Sequence, residues 1–195
     1  MARSFLILHG YEGSGPEHWQ TWLAGRLREA GETVAYPDLP DPFTPQLPAW
    51  SEALARELRA LAGEPTVIAH SLACVLWLHH CAVPVLPGAR AARVLLVAPP
   101  SAAGAPDALL PFFPVPLDAA AVAAAAGATR LVCARDDPYG PEDPARVYGE
   151  PLGVAVDVLP GAGHVNPDAG FGAWPAAEAW CYGASAITSS RIAPG

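Results

Sequence analysis

Short apolar runs alternate along this chain with longer stretches in which apolar residues recur every three or four positions. The first run, Ser4-Phe5-Leu6-Ile7-Leu8, predicts a strand. Trp19, Trp22, Leu23 and Leu27 then follow helical spacing, predicting a helix over residues 17–30 that stops at Gly31. The same reading predicts further strands over 33–36, 66–69, 93–98, 128–134 and 154–159. Further helices are predicted over 50–61, 72–82, 119–126, 141–148 and 174–182. The run 93–98 is almost continuously apolar, as in strands covered on both faces. Two proline-rich stretches, ending at Pro48 and spanning 99–117, carry neither period and are candidate walls of a pocket. The second could instead be an irregular crossover loop. Residues 184–195 carry no pattern and read as a flexible tail, leaving one domain over 1–183.

Strands alternating with helices predict the α/β class: a six-stranded, mostly parallel sheet with helices on both faces. Sites in such open sheets lie at the carboxyl ends of the strands. His9-Gly10, His70-Ser71, Asp136-Asp137 and Gly163-His164 each follow a predicted strand.

Composition narrows the function classes. A chain of 195 residues that is 52% hydrophobic and 15% charged can bury a core of its own. Its net charge is −8, and no basic run offers a footprint for nucleic acid or an anionic membrane surface. No apolar stretch has the ~18 residues that a membrane span needs. Cys74, Cys81, Cys133 and Cys181 are scattered without metal-ligand spacing, so buried free thiols are expected, with neither metal nor organic cofactor. No leader-like segment precedes the first strand, and a reducing, cytoplasmic setting is the default expectation.

The chemistry centres on Val67-Ile68-Ala69-His70-Ser71-Leu72-Ala73. A nucleophilic serine at a sharp strand-to-helix turn needs very small residues two positions before and after it. The usual glycines are here Ala69 and Ala73. A serine in this place can also be a simple helix cap. What favours a nucleophile is chain order, since an acid and then a base follow at later strand ends, as in α/β hydrolases. His164 is the candidate base, because its loop of small residues lets the ring reach Ser71. Asp136 and Asp137 both qualify as the acid, and the turn Asp137-Pro138-Tyr139-Gly140-Pro141 favours Asp137. The backbone N–H groups of Leu72 and Tyr11 are the candidate oxyanion donors. His9 and His70, at strand ends, and Leu110 and Phe112, in the second proline-rich stretch, are candidate pocket residues. His18, His79 and His80 fall on predicted helices and read as surface or core-edge residues.

Several longer stretches resemble the small serine hydrolases related to retinoblastoma-binding protein 9, including the bacterial YdeN-like hydrolases. They are residues 9–19 (HGYEGSGPEHW), Pro37-Asp38-Leu39-Pro40-Asp41-Pro42, Ala69-His70-Ser71-Leu72-Ala73-Cys74, Asp136-Asp137-Pro138-Tyr139, Gly163-His164-Val165-Asn166 and Gly170-Phe171-Gly172-Ala173-Trp174-Pro175. The resemblance implies a compact α/β-hydrolase fold without the two leading strands of larger members or a large lid. It also implies a triad at Ser71, Asp137 and His164. Ala73 departs from the family's usual glycine. Hydrolysis of small carboxylic esters through an acyl-enzyme is the leading expectation. Amide or peptide cleavage by the same triad, and a non-catalytic protein-binding module on the hydrolase fold, are the alternatives.

Overall fold

The computed structural model describes residues 2–84 and 86–189. β1 (Ser4–Leu8), β2 (Thr33–Ala35), β3 (Thr66–His70), β4 (Arg93–Val97), β5 (Thr129–Cys133) and β6 (Ala155–Val158) form one sheet in the order β2-β1-β3-β4-β5-β6. Every pairing is parallel, so the sheet is wholly rather than mostly parallel. The chain builds outward from β1 to β2, then returns to place β3 on the other side of β1. The reversal opens a crevice between the carboxyl ends of β1 and β3, where ligands bind in open α/β sheets.

Side-chain alternation along β1 divides the core between the two faces. Phe5 and Ile7 pack with Trp19, Leu23 and Leu27 of α1 (Trp19–Glu29). Leu6 and Leu8 pack instead with Trp50 and Leu54 of α2 (Leu47–Ala60) and Leu72 and Leu76 of α3 (Leu72–Ala82). Val122 of α4 (Ala119–Ala125) and Leu152 of α5 (Glu150–Leu152) join this second cluster, while Ala177 and Trp180 of α6 (Pro175–Cys181) join the first. α3 is apolar around most of its circumference because only His79 of its eleven residues escapes burial or the helix end.

Some boundaries differ from the sequence reading. α2 begins at Leu47 rather than at 50, because Pro48 lies in its first turn, where a missing N–H costs nothing. The helix expected over 141–148 begins only after Pro144, as a π-turn over Ala145–Gly149 that leads into α5. The stretch 99–117 contains a 3-10 helix, Asp107–Phe112. The expected loose tail is tied down as far as Thr188: Ile187 is buried and its N–H donates to Asp157 Oδ2 at 2.8 Å. The Thr188 carbonyl accepts from Trp174 Nε1 at 3.0 Å, and residues 190–195 lie outside the described residues.

Candidate active site

Ser71 occupies the single residue between β3 and α3, with φ 55° and ψ −125°. Its N–H still bonds the Val97 carbonyl at 2.8 Å, so the sheet ladder holds the strained residue in place. Such a backbone costs about 1–3 kcal/mol and aims the side chain out of the sheet. Ala69 and Ala73, two residues to either side, are fully buried. The turn is thus formed with a methyl group at both positions where glycine is usual.

Glycine is indispensable on the other wall of the crevice. A Cβ on Gly10 would lie 2.7 Å from Ser71 Cβ and 3.2 Å from its Oγ. Gly10→Ala is therefore expected to push the β1 loop off Ser71. Thermal unfolding would register about 1–3 kcal/mol of lost stability from overpacking.

His164 Nε2 lies 2.9 Å from Ser71 Oγ. Its Nδ1 lies 3.0 and 2.9 Å from the two carboxylate oxygens of Asp137. Asp137 is itself oriented by the Tyr139 N–H, which donates to Oδ1 at 2.9 Å, and the Tyr139 ring meets the His164 ring edge-on at 4.8 Å. Asp136 turns away and accepts the Gly163 N–H on Oδ2 at 3.1 Å, bracing the histidine loop from outside. A carboxylate on Nδ1 leaves Nε2 unprotonated and able to receive the serine proton.

Two further contacts fix the loop that carries His164. His70 Nε2–H donates to the His164 carbonyl at 2.9 Å, and Trp19 Nε1–H donates to the Val165 carbonyl at 2.8 Å. Val165 holds φ 49°, a left-handed conformation that a β-branched residue rarely takes without such support. Burial, with His18 and His164 beside it, holds the His70 imidazole well below its ordinary pKa.

A cavity of about 480 Å³ opens over Ser71 and His164, within the size range of small-molecule sites. Tyr11, His18, His70, Pro100, Leu109 and Tyr139 are among its walls. The Leu72 N–H opens α3 and has no intrahelical acceptor, and among the described residues the Tyr11 N–H makes no backbone hydrogen bond. Among the described residues neither candidate donor has a side-chain acceptor either. Among the described residues no three His, Cys, Asp or Glu side chains are grouped to hold a metal ion. None of their helices is long and apolar enough to cross a membrane.

Three candidate pocket residues are placed elsewhere. His9 is not in the wall: its Nε2 accepts the Leu39 N–H at 2.8 Å and its Nδ1–H donates to the Gly10 carbonyl at 2.8 Å. It anchors the β1 loop, and burial lowers its pKa. Leu110 is 45% exposed, because side chains three apart eclipse in a 3-10 helix and turn Leu109 and Phe112 inward instead. Phe112 lies fully buried against Trp50, with ring centroids 5.5 Å apart. The proline-rich stretch before Pro48 supplies no wall residue; Trp50 Nε1–H bonds the Pro40 carbonyl at 2.7 Å and the Glu12 N–H bonds Pro42 at 3.0 Å. His80 is buried rather than at the core edge, and His79 bonds the Phe112 carbonyl at 2.8 Å. His18, expected outside the site, caps α1 and lines the cavity.

A model of the family described as serine hydrolase matches residues 5–182 of the chain. The chain belongs to the serine hydrolase family. Its sequence is 34% identical to YdeN of Bacillus subtilis over 74 residues, a match spanning 38% of this chain and 39% of YdeN. The crystal structure of YdeN superimposes with a TM-score of 0.79 at 23% identity, covering 93% of this chain and 97% of that one. A YdeN-like hydrolase from Pectobacterium atrosepticum gives 0.70 at 22% identity, covering 91% and 88%. The esterase domain of a Rhodothermus marinus protein gives 0.63 at 16% identity, covering 92% and 85%. This hydrolase therefore has the α/β-hydrolase fold in its YdeN-like form.

Proposed function

We propose that this serine hydrolase cleaves small carboxylic esters through an acyl-enzyme on Ser71. The observation that carries the reading is the unbroken line from the Asp137 carboxylate through His164 to Ser71 Oγ, every link at 2.9–3.0 Å. Its likeness in fold to an esterase domain supports the same reaction class.

Ser71 Oγ attacks the ester carbonyl carbon while its proton passes to His164 Nε2. Asp137 stabilises the imidazolium through Nδ1–H. The carbonyl oxygen, now negative, receives the N–H groups of Leu72 and Tyr11. The intermediate collapses, the alkoxide leaves with the proton from Nε2, and the acyl group remains on Ser71. Water, deprotonated by the same nitrogen, then releases the carboxylic acid and restores the serine.

A fluorophosphonate probe tests the reading without knowledge of the substrate. Labelling mapped to Ser71 in the wild type, and lost in His164→Ala, is the expected result. Well-folded wild-type protein that resists the probe would overturn the proposal in favour of a non-catalytic binding module.

A further inference from the structure

His18 has one ring nitrogen that the fold uses and one that it does not. Nδ1 accepts the Gln20 N–H at 3.2 Å as the cap of α1, so in the neutral ring the proton sits on Nε2. Among the described residues nothing accepts from that N–H, yet His18 is buried, with 5% of the residue exposed, and borders the cavity over Ser71. Nε2 is also absent from the sealed polar atoms of the core, which are Trp77 Nε1, His80 Nδ1 and Trp180 Nε1 among the described residues. An unpaired donor that is not sealed in, on a residue bordering the cavity, has the cavity as its outlet. The ring stands one imidazole away from the reacting group, 4.9 Å from His70, which is in turn 4.9 Å from His164.

Resting on the proposed esterase reading, we propose that His18 is a substrate-binding residue whose Nε2–H donates to an uncharged oxygen of the ester beyond the scissile carbonyl. The acceptor is an ether, hydroxyl or carbonyl oxygen rather than an anion. No arginine lines the cavity, the chain has no lysine, and the charged side chains at its wall are the carboxylates of Glu12 and Asp168. The ring itself stays uncharged, because burial, reinforced by His164 and His9, pushes its pKa down to about 3. A neutral donor beside carboxylates selects neutral acceptors. Asn166 adds to this character: its Oδ1 is committed to the Ala169 N–H at 3.1 Å, which leaves its amide nitrogen for the same cavity.

Two substitutions separate the cap from the donor. His18→Asn keeps an oxygen where Nδ1 sits and so keeps the cap, but has nothing at Nε2. His18→Gln carries an amide nitrogen near Nε2 and gives up the cap. Each is assayed on ester pairs matched in shape, with one chain CH2 replaced by oxygen: p-nitrophenyl methoxyacetate against butyrate, and β-methoxypropanoate against pentanoate. A third pair, methoxyethyl acetate against butyl acetate, places the oxygen on the alcohol side. In at least one pair the wild-type preference for the oxygen-bearing ester is expected to fall about ten-fold in His18→Asn, chiefly through KM, with Tm nearly unchanged. His18→Gln should retain most of the preference despite a lower Tm. A preference unchanged in all three pairs overturns the inference, as does an equal loss on every ester through kcat alone, which would mean that His18 only positions His70. Fluorophosphonate labelling of Ser71 in all three proteins distinguishes these failures from failure of the esterase reading, in which no labelling occurs.

Discussion

Replacing Ser71 by alanine is expected to lower p-nitrophenyl ester turnover by about 10⁴–10⁶-fold while leaving the folded protein intact. Under the proposed mechanism the hydroxyl is the atom that forms the covalent bond, and no neighbouring group can replace it. The fold loses little in return. Ser71 Oγ has His164 Nε2 as its partner at 2.9 Å, whereas the structural bond at this residue is made by its backbone N–H to Val97. Alanine keeps that N–H and the same φ restriction. Under the same proposal, activity that survives would come from the Leu72 and Tyr11 N–H groups polarising a bound carbonyl for attack by water. Unchanged turnover in pure Ser71→Ala protein would remove Ser71 from the chemistry altogether.

Asp137→Asn should cost about 10²–10⁴-fold in kcat with the fold retained, and Asp136→Asn should cost little. The two aspartates hold different partners. Asp137 receives His164 Nδ1, and an amide there can turn its NH2 toward that nitrogen. The ring would then carry its proton on Nε2, where it blocks transfer from Ser71. Asp136 receives the backbone N–H of Gly163, and an asparagine oxygen accepts from that N–H equally well. Steady-state kinetics on both variants decides the matter, and the reverse ranking would assign the acid to Asp136.

The sheet was legible because each of its inner strands is a short run of buried aliphatics, as Val67-Ile68 and Leu95-Leu96 illustrate. Ser71, Asp136, Asp137 and His164 could be singled out as candidates because a parallel sheet delivers strand ends to one edge, and because chain order separates a candidate acid from a candidate base. Within the aspartate pair, turn chemistry alone separated the residue that meets His164 from its neighbour. What sequence could not yield depends on which way a side chain turns after the strand ends. His9 directly follows β1 and His70 ends β3, yet His9 closes on Leu39 while His70 reaches the cavity. The choice between Leu109 and Leu110 rested on a three-residue period that six positions of a proline-rich segment do not announce. His18 reads as a surface or core-edge residue of a helix because helical spacing says nothing about a cap facing the crevice. The close approach of Gly10 to Ser71 spans two strands, and no local pattern encodes it.

The Trp174–Thr188 bond bears on anyone who would shorten or retag this chain. Trp174 packs edge-on against Trp19 at 5.1 Å, and Trp19 in turn holds the Val165 carbonyl next to His164. A boundary drawn at the end of α6 would keep every strand and helix and still remove Thr188, the partner of the Trp174 ring that packs on Trp19. An expression tag or fusion partner therefore belongs after residue 188, and a trimmed version should be judged by its turnover before its solubility.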